Sequence, residues 1–405
     1  MRHRTQSRRR WRVDRVVKPR CVGLVTTSRA DYGIYRPVIA EIRRRPELDL
    51  IVFAGGAHLI REVGDTIKEI EADGVPIAER VEMPLGSDDA EGIASWMGRG
   101  TESFAHAYAR HQLDLLIVLG DRAEMHAAAS AAVPFGIPMA HIHGGEITEG
   151  AIDDALRHSI TKMSHLHFPT TESHARRIRQ MGEEPWRVTA CGAPSLDNLA
   201  TVPRLDRAEL QRRCGLAWDR PPLLVTFHPA TLEAESIEAQ VGELTAALTG
   251  VEMPIVFTLP NVDAGGRQIA DALRRFIDAT PGTAMVRSLG TAGYFSLMAE
   301  AAAMVGNSSS GLVEAPSFEL PVVNIGIRQK GRTRAANVID VGGTRAEIRA
   351  GIDRALDPAF RSKLKGLVNP YGDGQAARRI ADRLVSVELG PRLLHKTFVD
   401  WEEGP

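Results

Sequence analysis

The chain has 405 residues, 43% of them hydrophobic, enough for two ordinary domains or one large one. Its 50 Lys and Arg against 51 Asp and Glu leave a net charge of -1, so nothing global draws it to nucleic acid or to a membrane surface. Three widely spaced cysteines (Cys21, Cys191, Cys214) supply neither a disulfide framework nor a CxxC metal knuckle and fit a reducing cytoplasm, and no apolar run reaches the roughly 18 residues that span a bilayer.

Residues 1–20 are Arg-rich and lack the apolar segment of a signal peptide, so they read as a disordered basic extension or an over-called start. From there, short apolar runs alternate with helical patterns. Residues 21–27, 50–54, 113–119, 139–143, 166–169 and 188–191 are the expected strands of the first half. Residues 223–227, 255–259, 284–286, 304–305 and 322–325 are those of the second. Many are Val/Ile/Leu runs without clean alternation, as in parallel strands covered on both faces. The class is therefore α/β and doubly wound. The dividing line falls between Pro194 and Pro222, giving Rossmann-like domains at 21–198 and 199–374 that face one another across a central cleft. A helical pattern within 375–405 follows Pro370, Gly372 and Gly374 and is expected to cross back to the first domain.

In such sheets ligands bind beyond the carboxyl ends of the strands, so the segment after each apolar run matters most. After the first strand, Thr27-Ser28-Arg29-Ala30-Asp31-Tyr32-Gly33 leads into a helix expected from Ile34. It is either an anion site, with Arg29 as a bidentate partner, or a plain turn capped by Asp31. Gly120-Asp121-Arg122-Ala123-Glu124 sets an acid at a strand mouth beside an arginine, where its pKa can be tuned, or else caps a helix.

His141-Ile142-His143-Gly144-Gly145-Glu146, followed by Asp153, Asp154, Arg157, His165 and His167, is the densest titratable stretch. Spacing puts Asp153 and Arg157 on one helix face, and Glu146, His143 and Asp153 near Asp121, a grouping suited to proton transfer. The same imidazoles raise a metal reading, but HExxH is absent and no metal is expected. His165 and His167 are expected to pack beside the sheet.

In the second half His228 ends a strand, as Asn261 follows the next one. Gly306-Asn307-Ser308-Ser309-Ser310-Gly311 offers hydroxyls and helix-start N–H groups for a phosphate, and Glu314, expected within the first helical turn, is a candidate acceptor for ribose hydroxyls. Arg328, Lys330, Arg332 and Arg334 are either a solvated edge or counter-charge for a diphosphate.

Taken in order, TSRADYG (27–33), GDRAE (120–124), HIHGGE (141–146), DDALRHSITKMSHLH (153–167), FHPAT (227–231), GNSSSG (306–311) with Glu314, and RQKGR (328–332) with Asn337 resemble the hydrolysing UDP-N-acetylglucosamine 2-epimerases of sialic and related nonulosonic acid biosynthesis. The resemblance implies the two-domain GT-B fold, no cofactor, a UDP-sugar partner and a homodimer or homotetramer. It implies conversion of UDP-N-acetylglucosamine and water to UDP and N-acetylmannosamine, by anti elimination of UDP and rehydration of a 2-acetamidoglucal. By the same resemblance Asp121 and Asp153 carry proton transfers and His228 sits near the phosphate and C1. Arg29, Asp31, Arg122, Asn261, Ser308, Ser309, Glu314 and Arg328 match nucleotide-contacting positions, beside Ser310 of the same cradle. Some family members have a catalytic Glu where this chain has His143, so His143 or Glu146 takes that role here. Relatives that use UDP-2,4-diacetamido-2,4,6-trideoxyhexoses look very similar. The rival readings are a non-hydrolysing 2-epimerase, a GT-B glycosyltransferase and a non-catalytic UDP-sugar sensor.

Overall fold

The computed structural model of the protein describes residues 18–60, 66–84, 89–148, 152–228, 237–259, 266–287 and 289–400, so most of the basic N-terminal extension lies outside the described residues. Among the described residues, twelve strands form two sheets. The first contains β1 (Arg20–Thr26), β2 (Leu48–Gly55), β3 (Ile77–Val81), β4 (Leu115–Leu119), β5 (Met139–Ile142) and β6 (Leu166–Phe168). The second contains β7 (Leu223–Thr226), β8 (Ile255–Thr258), β9 (Thr283–Val286), β10 (Ala303–Gly306), β11 (Val322–Ile325) and β12 (Val338–Val341).

Every strand pair is parallel, in the orders β3-β2-β1-β4-β5-β6 and β12-β11-β10-β7-β8-β9. Each order grows outward from its first strand, then returns and grows the other way. A switch point therefore opens between β1 and β4 in one sheet and between β7 and β10 in the other, where ligands of such folds bind. This is the GT-B arrangement of two nucleotide-fold halves.

Both faces of the second sheet are covered, because alternate residues serve opposite layers. Leu223, Val225, Phe257 and Val305 belong to one apolar cluster, and Leu224, Val256 and Met304 to another. The first sheet is built around Leu24, Phe53, Leu116, Ile117 and Ile142. The helix Ala376–Ser386 joins that same cluster through Ala376, Ile380 and Leu384, next to Tyr35 and Val38 of the first helix. Its start is fixed by Asp197, which accepts from the N–H groups of Ala376 at 3.0 Å and Ala377 at 2.7 Å.

Three local readings change. The first helix runs Arg29–Arg43, not from Ile34, and its cap is Ser28, whose hydroxyl accepts from the Asp31 N–H at 3.3 Å. The edge strands β3 and β12 are additional to the expected ones. Residues 188–191 do not make a strand. They run beside β6 through one bridge, His167 to Val188, and then turn at Gly192 and Pro194 into a short 3-10 helix. No helix among the described residues is long and apolar enough to cross a membrane.

Candidate active site

The ends of β4 and β5 carry the titratable groups of the first half. Asp121 follows β4 and is ion-paired with Arg157 from the helix Ile152–Met163. Arg157 is 1% exposed and has further partners: Asp154 Oδ1 at 2.8 Å, the Glu146 carbonyl at 2.9 Å and the Thr148 hydroxyl at 3.0 Å. The carboxylate it meets on its own helix is thus Asp154, three residues back, and not Asp153. Asp153 is half-buried. Burial raises its carboxyl above the usual range against the pull of Arg122, with Asp154 adding to the rise and Arg332 and Arg328 opposing it.

The two histidines of the HIHGGE segment have different environments. His141 is buried between the sheet and the helix Ile152–Met163, bonded to the Gly120 carbonyl at 2.8 Å and the Thr161 hydroxyl at 3.1 Å, and burial lowers its pKa to about 3. A neutral ring donating to a carbonyl ties β5 to the turn that carries Asp121. His143 leaves the strand in the left-handed region (φ 63°), its N–H bonded to the Phe168 carbonyl at 3.2 Å. Its Nδ1 lies 2.8 Å from Glu146 Oε1. Burial alone would raise the Glu146 pKa, but His143, Arg332 and His174 hold it well below the usual carboxylate range. Thr170 donates to the same oxygen at 3.2 Å and is 2.9 Å from His174 Nδ1.

His165 accepts from the Met139 N–H at 3.1 Å, and His167 pairs with buried Glu183 at 3.0 Å. Among the described residues no three His, Cys, Asp or Glu side chains are grouped as a metal site requires.

In the second half, His228 lies just beyond the end of β7 and Asn307 opens the loop after β10. Asn307 joins them: its side chain accepts from the His228 N–H at 2.7 Å and donates to the His228 carbonyl at 2.9 Å. The Asn307 carbonyl in turn accepts from Arg328 at 3.0 Å and Gln329 at 2.9 Å. Burial, then Arg328, lowers the His228 pKa to about 4, so the ring is neutral. Ser308 and Ser310 share a hydroxyl contact of 2.9 Å, and Tyr294 meets Ser310 at 2.7 Å. Gly306 has φ 139°, and a Cβ there would stand 1.9 Å from the Thr226 carbonyl, so only glycine lets the loop cross β7 so closely. Glu314 accepts from Ser195 at 2.7 Å, and burial pushes its pKa up to about 7.

The expected site residues fall into two groups. A cleft of about 500 Å³ is lined from the first half by Arg29, Gly33 and Ser195 and from the second by His228, Ser308, Ser309, Ser310 and Glu314. Asp121, His143, Glu146 and Asp153 stand apart from that lining, tied to it by charge. Arg328 acts on both His228 and Asp153, Arg332 acts on Asp153 and Glu146, and His143 acts on Glu314. Arg29 pairs with Glu69 at 3.0 Å at the cleft wall, and Arg122 with Glu124 at 3.3 Å. The Asp31 carboxylate is engaged by the N–H of Thr27 at 3.1 Å and its hydroxyl at 2.7 Å, within its own loop. Asn261 and Pro229–Thr231 lie outside the described residues. Residues the sequence reading passed over are Asn307, Thr170 and Ser195. Asn307 alone carried a signal, its place after an apolar run.

The UDP-N-acetylglucosamine 2-epimerase family matches residues 40–385. The chain is 35% identical to the UDP-N,N'-diacetylbacillosamine 2-epimerase (hydrolyzing) of Legionella pneumophila, over 92% of this chain and 97% of that one. It is 34% identical to the GDP/UDP-N,N'-diacetylbacillosamine 2-epimerase (hydrolyzing) of Campylobacter jejuni, over 94% and 99%. The fold is that of the UDP-GlcNAc 2-epimerase from Neisseria meningitidis bound to UDP-GlcNAc, with a TM-score of 0.77 at 19% identity, covering 91% of this chain and 100% of the other. With two switch-point loops around one cleft and a family match over most of its length, the chain belongs to the UDP-N-acetylglucosamine 2-epimerase family.

Proposed function

We propose that this protein is a hydrolysing 2-epimerase: it takes a UDP-activated 2-acetamido sugar and water to UDP and the free sugar inverted at C2. The observation that carries this reading is one cleft lined from the first half by Arg29, Gly33 and Ser195 and from the second by His228, the Ser308–Ser310 loop and Glu314, with Arg328 and Arg332 acting electrostatically on the first-half acids Asp153 and Glu146. A diphosphate leaving group at the serine loop and a sugar ring at the acids would share that positive charge, which stabilises the departing UDP. Removal of the weakly acidic C2 proton needs a base, and return of a proton to the opposite face needs a second group. Asp121, His143, Glu146 and Asp153 are the available set. Asp153, its carboxyl raised by burial, suits a proton donor, and Asp121 beside Arg157 suits a carboxylate. The nucleotide would lie along Ser308–Ser310 with its ribose at Glu314, flanked by Arg29, Arg122 and Arg328.

Of the two sugars the sequence points to, the names of the Legionella and Campylobacter relatives favour the 2,4-diacetamido-6-deoxy sugar over N-acetylglucosamine. Incubation with each UDP-sugar in heavy water tests both points. The expected products are stoichiometric UDP and a free sugar carrying deuterium at an inverted C2, with the diacetamido substrate turned over faster. An equilibrium of two UDP-sugars would mean a non-hydrolysing epimerase. UDP release only with an added acceptor would mean a transferase.

A further inference from the structure

We infer that Ser195 is a specificity-determining residue for the ribose of the nucleotide. Its hydroxyl holds one oxygen of Glu314, and the other Glu314 oxygen and the Ser195 oxygen accept together from the two ribose hydroxyls. The inference rests on the proposed placement of the nucleotide and adds a first-half residue to it.

The contact crosses the cleft. Ser195 belongs to the 3-10 helix Pro194–Asp197 at the end of the first half, Glu314 follows the short helix Ser310–Val313 of the second, and both line the cleft. The Ser195 hydroxyl donates to Glu314 Oε1 at 2.7 Å. A hydroxyl has one proton and two lone pairs, and a carboxylate has lone pairs only. With the proton of Ser195 directed at Oε1, the pair presents two acceptors, Ser195 Oγ and Glu314 Oε2. Their complement is two hydroxyl donors on adjacent carbons, which is what a ribose offers. The match is complete above the pH of about 7 at which Glu314 ionises.

Both residues are set by the two segments through which the chain passes between its halves. On the outward pass the Ala193 N–H donates to the Tyr371 carbonyl at 2.7 Å, and Asp197 accepts from the N–H groups of Ala376 and Ala377. The passes touch at Gly192 and Gly372, where a Cβ on Gly372 would stand 3.0 Å from the Gly192 Cα. On the return pass Asn369 donates to the Val313 carbonyl at 2.8 Å, one residue before Glu314, and to the Ser317 hydroxyl at 2.7 Å. Leu196, Leu312 and Tyr371 close an apolar cluster beneath them. Ser195 is therefore fixed from one crossing and Glu314 from both, so neither has to be ordered when a nucleotide arrives.

A site arranged in this way rejects a nucleotide without the diol, because its acceptors are then left unpaired. A bond that only tied the halves together would affect all nucleotides alike. The ratio of affinities for UDP and 2′,3′-dideoxy-UDP separates the two roles.

The test measures both affinities by calorimetry at pH 8 on the full chain, for the intact protein, Ser195→Ala, Ser195→Thr and Tyr371→Phe. The intact protein should prefer UDP by at least about 30-fold. Ser195→Ala should lose about 3–10-fold of that preference, almost all of it from the UDP side. Ser195→Thr keeps the hydroxyl and should keep the preference within about threefold. Tyr371→Phe removes a bond of the same crossing, to the Thr333 carbonyl at 3.0 Å, and should leave the ratio unchanged. Equal binding of both nucleotides by the intact protein would overturn the assignment. So would a Ser195→Ala ratio within about twofold of the intact one, a Ser195→Thr ratio no better than that of Ser195→Ala, or an equal fall in Tyr371→Phe. An intact protein that shows the preference but releases no UDP from either sugar would instead sink the epimerase reading and leave Ser195 in place.

Discussion

Glu314 combines two demands on a single side chain. It accepts a hydrogen bond from Ser195 at 2.7 Å, and its surroundings lift its pKa from 4.5 to about 7 by burial, with the Ser195 bond opposing the rise. A carboxyl whose folded pKa lies above its unfolded value is more stable protonated. The stability it contributes is complete below pH 4.5 and is lost as pH rises through about 7. Glu314→Gln keeps an oxygen for Ser195 and cannot ionise. The variant without nucleotide should therefore match the intact protein near pH 4.5 and exceed it at pH 8 by up to about 3 kcal/mol, reduced by whatever water in the cleft screens. Thermal unfolding across that range reads the difference. A gain of equal size at both ends would mean that ionisation of Glu314 has no part in it. The same substitution should weaken UDP binding, because an amide is a poorer acceptor for ribose hydroxyls than a carboxylate.

The strand ends do the positioning, and β10 shows how little freedom they have. Gly306 sits where a Cβ would be 1.9 Å from the Thr226 carbonyl at φ 139°, so Gly306→Ala must push β10 away from β7 or move the loop that follows. The cost should be at least about 2–3 kcal/mol, and UDP affinity should fall with it, because Asn307 and Ser308 move with the loop. Calorimetry and urea unfolding of the variant measure the two effects; loss of stability without loss of UDP affinity would separate the loop from the nucleotide. This element was legible in the sequence, since an apolar run followed by GNSSSG names both the strand and the loop that follows it. The edges were not. β3 reads Ile-Ala-Glu-Arg-Val with alternate residues open to solvent, and β12 is four residues with its Asp340 exposed, so neither makes the apolar run that a doubly covered strand makes. The reverse error at residues 188–191 has the same root. That segment is apolar enough for a strand, but Gly192 at φ 93° and Pro194 turn it away after one bridge. The partners of Arg157 show the limit at the site. Spacing put Asp153 on the face of Arg157, and the pairing with Asp154 instead depends on where β4 brings Asp121 and where the loop after Glu146 brings Thr148, contacts no local pattern contains.

The molecule's two halves are joined by more than the linker, because the chain after the second sheet returns to the first. The helix Ala376–Ser386 is capped by Asp197 and buried against the first helix, and the segment beyond it is bound by charge. The Arg187 side chain is fully buried, and its guanidinium donates to the carbonyls of Arg392 at 2.9 Å, Leu393 at 2.8 Å and His395 at 3.2 Å. Lys396 donates to buried Glu183 at 2.8 Å and to the Ser164 carbonyl at 2.7 Å. Removing residues 391–405 would leave Arg187 with Glu184, the His165 carbonyl and the Trp186 ring, and Glu183 with one lysine fewer. A buried donor left without its acceptor costs about 1–3 kcal/mol, so the shortened chain should unfold at a clearly lower urea concentration. The first half should open before the second, since every one of those partners belongs to it. Adding Arg187→Met to the shortened chain removes the unsatisfied donors and should recover part of the loss. If the shortened chain keeps the midpoint of the intact one, or the added substitution lowers it further, the buried guanidinium is not what holds the tail in place.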